Sequence, residues 1–167
     1  MSVVINGTGS ISGLSNVGGI SSAQSGSVIQ TVYVSYSTQF ATTSGSYASS
    51  GIAASITPQF SNSKILILMS IPALVQHTSN NDNGIGLSIY RGGVQTYTDA
   101  NTYDSLYANT NGSAYPVLRG RVFLGYLDSP ATTSSTTYTL YTAAYGGTAT
   151  TCSNGAIATV TLLEIAA

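Results

Sequence analysis

Charge is what this chain has least of. Nine of its 167 residues are charged (Lys64, Arg91, Arg119, Arg121, Asp82, Asp99, Asp104, Asp128 and Glu164), 5% of the total, where a soluble domain carries roughly 25%. The net charge is −1. So neutral a surface favours association, and it argues against a nucleic-acid partner, whose affinity comes from Lys and Arg neutralising phosphates. Cysteine is nearly absent too. Cys152 stands alone, which excludes the disulfide framework of small secreted domains. No long apolar run exists either. The greasiest stretch, "KILILMSI" (64–71), falls far short of the about 20 residues that a membrane-spanning helix needs. The N-terminus "MSVVINGTGSISG" has no basic n-region and no long apolar h-region, so no signal peptide is expected.

What is present is small, polar and β-forming. Ser and Thr number 48 and Gly 18, while 43% of residues are hydrophobic, too many for disorder. Helix formers such as Glu and Lys are scarce, and Gly, Pro or β-branched residues interrupt every window of helical length. Strands are expected at 28–36, 51–58, 64–71, 117–127, 137–144 and 156–165. A hairpin over 84–97 turns at Gly92-Gly93, and a weaker strand lies near 103–108. The expected fold is all-β: an antiparallel, jelly-roll-like sandwich of about eight strands spanning 28–167.

Residues 1–27 read differently. Isolated aliphatics (Val4, Ile5, Ile11, Leu14, Val17 and Ile20) punctuate Gly, Ser and Asn. They are too sparse for a core and too many for a plain linker, which predicts an extended, docking N-terminal arm. Its 27 residues could reach on the order of 80 Å. The continuous apolarity of 64–71 implies that both faces of that strand are covered. The second cover is the N-terminal arm, a long loop or another subunit; the subunit is the favoured reading, with Ile65, Ile67 and Met69 at the interface. Arg119 and Arg121 share one strand face and are expected beside them, reaching carbonyls or a carboxylate such as Glu164 of a neighbour.

Little of this suggests catalysis. His77 is the one histidine, in a polar loop. A triad with Cys152 lacks any local mark of a nucleophile. "NNDNG" (80–84) has neither the spaced acids nor the terminal Glu of an EF-hand loop, so a turn is the plainer account. Asp99 and Asp104 could pair for glycoside cleavage, but two solvated loop acids suffice. No catalytic residue, cofactor or metal is expected. The twelve tyrosines carry more potential, since Tyr supplies contact area at low entropic cost. The long polar stretch 96–116, with Tyr97, Tyr103, Tyr107 and Tyr115, is the candidate ligand loop.

Several runs together have a familiar look: "GSVIQTVYVSYSTQF" (26–40), "ITPQFSNSKILILMSI" (56–71), "GIGLSIYRGG" (84–93), "LDSPATTSSTTYTLY" (127–141) and "ATVTLLEIAA" (158–167). Over roughly 26–167 the chain resembles tailed-bacteriophage virion proteins of the tail-fibre-like or head-decoration kind. "INGTGSISGL" (5–14) resembles their leader segments. The resemblance implies a β-sandwich that forms a homotrimer on a virion assembled in the host cytoplasm, without enzymatic activity. Its partners would be copies of itself and the major capsid protein or another virion protein, with no membrane or nucleic acid. The absence of a fibrous shaft favours a capsid decoration or cement protein. The Tyr-rich loop favours a tail-fibre or tail-tip receptor-binding protein contacting host surface glycan.

Overall fold

The computed structural model describes residues 24–76, 82–98, 103–109 and 117–167. The expected arm falls almost wholly outside these residues, as do His77, Asp99 and Tyr115. Eleven strands occur among the described residues: β1 (Val28–Tyr36), β2 (Phe40–Thr42), β3 (Ala48–Ile56), β4 (Lys64–Gln76), β5 (Asn83–Arg91), β6 (Val94–Thr98), β7 (Leu106–Ala108), β8 (Val117–Asp128), β9 (Thr136–Tyr145), β10 (Thr148–Thr151) and β11 (Ala158–Ile165). A 3₁₀ turn spans Ser153–Gly155. All strand pairs among the described residues are antiparallel.

The eight principal strands stack as two sheets. One runs β1-β11-β4-β8, the other β3-β9-β5-β6. Counted along the chain these are strands 1-8-3-6 and 2-7-4-5, the order of a jelly roll. The three short strands are additions: β10 pairs with β4 past the end of β11, β2 pairs with β10, and β7 pairs with the start of β5. The expectation of about eight strands therefore matches the principal set. It missed β2 and β10, whose three and four residues leave no readable alternation.

Between the sheets lies one apolar core. Ile65, Ile67, Met69 and Ile71 of β4 join Val160 and Leu162 of β11, facing Ile52 and Ile56 of β3, Ile85, Leu87 and Ile89 of β5, and Tyr138 and Leu140 of β9. Each set occupies alternate positions, as a pleated strand dictates.

β4 is longer than the sequence suggests, because Pro72 does not end it. β4 pairs with β11 up to Ser70 and with β10 from Ala73 onward. Pro72 sits in the gap between those neighbours, where its carbonyl accepts the Cys152 N–H at 3.1 Å. A strand residue's N and O point to the same side, so the missing N–H falls where no continuous ladder needs it. The hairpin at Gly92-Gly93 forms as expected, with φ of 55° and 86°, the left-handed pair that a type I′ turn demands.

Candidate functional site

The two outward faces of the sandwich differ in chemistry. On the first sheet, register places Leu163, Leu66 and Leu127 in one row across β11, β4 and β8. The next row is Tyr33, Thr161, Leu68 and Gly125, and the one after it Ser35, Thr159, Ser70 and Phe123. Phe123 is 74% exposed, Tyr33 64%, Leu127 48% and Leu68 42%. An aliphatic and aromatic face thus lies open to solvent, where a monomer usually scatters such residues singly.

This corrects the interface expected on β4. Ile65, Ile67 and Met69 are at most 1% exposed and belong to the core, so they cannot meet another subunit. The outward set is Leu66 and Leu68. Both parities of this strand are apolar, but Lys64 and Ser70 share the even one, and that was the available signal. Glu164 is likewise fully buried. It accepts the Gln59 N–H at 2.7 Å and the Phe60 N–H at 3.3 Å, and Gln30 Nε2 donates to its other oxygen at 3.1 Å. It holds the turn after β3 and is unreachable by a neighbour's arginine.

The arginines of β8 do share one face, with different surroundings. Arg121 lies across β4, donating to Ser70 Oγ at 2.9 Å and through both terminal nitrogens to the Ile157 carbonyl at 3.2 Å. It is tied down within its own chain. Arg119, one row further and opposite Leu74, lines a concavity of about 280 Å³ whose other walls include Gln39, Gln76, Thr148, Thr150 and Asn154. Among the described residues its guanidinium has no hydrogen-bond or ion-pair partner.

The outward face of the second sheet carries tyrosines. Tyr90 and Tyr141 stack at 3.8 Å between centroids, with Tyr47 beside Tyr90 at 6.4 Å. At one end Tyr103 stacks on Tyr145 at 4.2 Å, and Tyr107 lies 6.1 Å from Tyr103. Tyr107 donates its hydroxyl to Asp82 Oδ2 at 2.7 Å, and Asn109 Nδ2 reaches the same oxygen at 3.2 Å. The hydrogen bond to that carboxylate pushes the Tyr107 phenol up to about 12. Glycine makes the cluster fit, since a Cβ on Gly84 would sit 2.7 Å from the Tyr103 carbonyl.

Of the tyrosines assigned to the ligand loop, the structure joins Tyr103 and Tyr107. It separates Tyr97, which is half-buried, packs 5.4 Å from Tyr126 and lies against the core. Tyr145 was missed because it comes from β9, and only tertiary pairing of β9 with β5 brings it to Tyr103.

No protein-family model matches the chain, and no curated protein matches it either. Among solved structures it is similar to VP2 in the infectious bursal disease virus subviral particle. That match has a TM-score of 0.42 and 18% identity, covering 84% of this chain and 39% of that one. A chain of the T13 particle of the same virus gives 0.35 and 16%, over 87% and 38%. Dimeric latent PorU from Porphyromonas gingivalis gives 0.36 and 11%, over 87% and 14%. This chain thus spans well under half of each neighbour. Likeness at this level carries no function, assembly or partner across.

Asp128 and Cys152 serve the fold. Asp128 Oδ2 accepts from Arg91 at 2.7 Å and from the buried Tyr138 hydroxyl at 2.7 Å, which ties β8 of the first sheet to β5 and β9 of the second. Cys152 is buried, and burial pushes its thiol up, the opposite of what activates a nucleophile. Among the described residues no three His, Cys, Asp or Glu side chains come together to hold a metal ion.

Proposed function

We propose that this chain is a non-enzymatic structural protein of a tailed-phage virion, a homotrimeric capsid decoration or cement protein anchored by its N-terminal arm. The observation that carries this reading is the open face of Leu66, Leu68, Phe123 and Leu127 on the first sheet. Fully burying such a side chain is worth about 1.5–3 kcal/mol, so a few of them on each copy favour association strongly. The almost uncharged sequence opposes that association little, and a closed cyclic assembly hides the face on every copy. The resemblance of 26–167 to phage virion proteins supplies the setting. The jelly roll does not, since capsid proteins, lectins and cupins share it.

The arm joins this scheme at a fixed point. Gly26 N–H bonds to the Ala166 carbonyl at 2.7 Å, and Ala166 N–H to the Ser27 carbonyl at 2.9 Å, so the chain ahead of β1 starts from the sheet edge. Spaced aliphatics there would add to a partner's surface by strand addition, and three arms would multiply the effect. The major capsid protein, or another virion protein, is the partner in this reading.

Light scattering tests it. The wild type should be a trimer at micromolar concentration, and the double variant Leu68→Asp, Phe123→Asp a folded monomer that no longer joins virions. A monomeric wild type rejects the reading. The cluster of Tyr103, Tyr107 and Tyr145 favours a second role, a receptor-binding tail protein whose tyrosines contact host surface glycan. Copy number per virion separates the two: hundreds for cement, a handful for a tail tip.

A further inference from the structure

We infer that the concavity around Arg119 is a binding site for a carboxylate-bearing sugar, a uronic-acid-type ring, whatever the protein's place on a virion. Four cations exist in the chain. Arg91 is paired with Asp128 and Arg121 is held by Ser70 and the Ile157 carbonyl. Lys64 lies in the row beyond Leu66, at the far end of β4. Arg119 alone combines a guanidinium without partners among the described residues with a concave setting. A guanidinium offers a planar fork that matches a carboxylate with two parallel hydrogen bonds.

The rest of the wall chooses the kind of carboxylate. Gln39, Gln76, Thr148, Thr150 and Asn154 present amides and hydroxyls, which both donate and accept. That suits a ring studded with hydroxyl groups better than an acidic side chain, which needs acceptor-binding donors alone. One cation and no second one argues for a single carboxylate in the pocket. Ala41 lines it as well and is exposed, giving a small apolar contact for the ring's C–H face. A volume of about 280 Å³ is near the lower limit of ligand pockets, roughly 300 Å³, and accommodates one ring of an oligosaccharide whose neighbours remain in solvent.

The backbone supports a dedicated site. Beside the pocket, Cys152 and Asn154 both hold left-handed conformations, at φ 54° and 56°. Asn tolerates that region and Cys does so less readily. Burial of Cys152 and its bond to the Pro72 carbonyl hold the turn in this shape, and the turn places Ser153 and Asn154 on the pocket wall. Strain kept at a polar concavity points to a site.

The test is titration of the full-length protein with alginate oligosaccharides, with neutral dextran oligosaccharides and polyglutamate as comparison probes. Alginate fragments should bind and dextran should not. Arg119→Ala should weaken alginate binding at least tenfold and Arg119→Lys by less, with circular dichroism and oligomeric state unchanged because Arg119 is an exposed edge-strand residue. Asn154→Gly keeps the left-handed backbone and removes only the amide, so it should weaken binding several-fold. Unchanged alginate affinity in Arg119→Ala, or no binding by the wild type, overturns the site. Equal binding of polyglutamate overturns the sugar specificity. Neither result bears on trimer formation, which rests on Leu68 and Phe123.

Discussion

At the scale of single residues, the two most informative side chains are acids that the protein has put to internal use. Glu164 is buried with two backbone N–H groups and the Gln30 amide directed at it. Glu164→Ala should cost about 2–4 kcal/mol, since hydrogen bonds to a charged group contribute about 1.5–3 kcal/mol each and water recovers part of that for donors on exposed Gln59 and half-buried Phe60 and Gln30. Urea unfolding with an unchanged m-value would show it; a cost below about 1 kcal/mol would mean the turn re-forms around water. Asp82 acts on Tyr107. Because the folded phenol is raised from 10.0 to about 12, the hydrogen bond stabilises the fold below the ordinary tyrosine range and is lost as pH climbs from 10 toward 12. Ultraviolet titration should show the phenolate difference between wild type and Tyr107→Phe emerging near pH 12. In Asp82→Asn it should emerge nearer 10, with no shift counting against the assignment.

At the scale of elements, β4 shows how one strand serves two purposes. Its odd positions fill the core and its even positions face outward. Ile67→Asp should therefore prevent folding, because an unpaired carboxylate in the core is too costly to retain. Leu68→Asp, one residue along, should leave a native circular dichroism spectrum and change only the oligomeric state. Similar behaviour of both variants would mean that the register of β4 is different. This division was half legible in the sequence. The eight-residue run was readable as an apolar strand, but the expected cover on both faces is absent among the described residues, since Leu68 is 42% exposed. Its core-facing parity was marked only by Lys64 and Ser70, because Leu66 and Leu68 are as apolar as Ile and Met opposite. Pairing with β11 makes the choice, because Val160 and Leu162 lie on the same side as Ile67 and Met69.

At the scale of the whole molecule, the sandwich is closed by groups from opposite sheets. Asp128→Ala should cost about 1–3 kcal/mol, chiefly by orphaning the buried Tyr138 hydroxyl, since the Arg91 side chain is 35% exposed and water can solvate it, read as a lowered denaturation midpoint. Removing residues 2–24 should leave the sandwich intact. Val28–Tyr36 keeps its pairing to Ala158–Ile165, and the bonds of Gly26 and Ser27 to Ala166 remain. The truncated protein should therefore fold and lose virion attachment. Unfolding would place the arm in the sandwich, and full occupancy on virions would place attachment in the β-domain.

The sequence by itself determined the class of fold, the main strands, the hairpin at Gly92-Gly93 and the scarcity of charged groups. These depend on local alternation, turn chemistry and composition, which act over a few residues. Tertiary structure decided which parity of β4 is buried, that Glu164 is a turn anchor, that Tyr145 joins Tyr103, and that Arg119 has a pocket while Arg121 has partners. Each of these turns on register between strands far apart in the chain, and a pleated strand reverses every side chain for a slip of one residue.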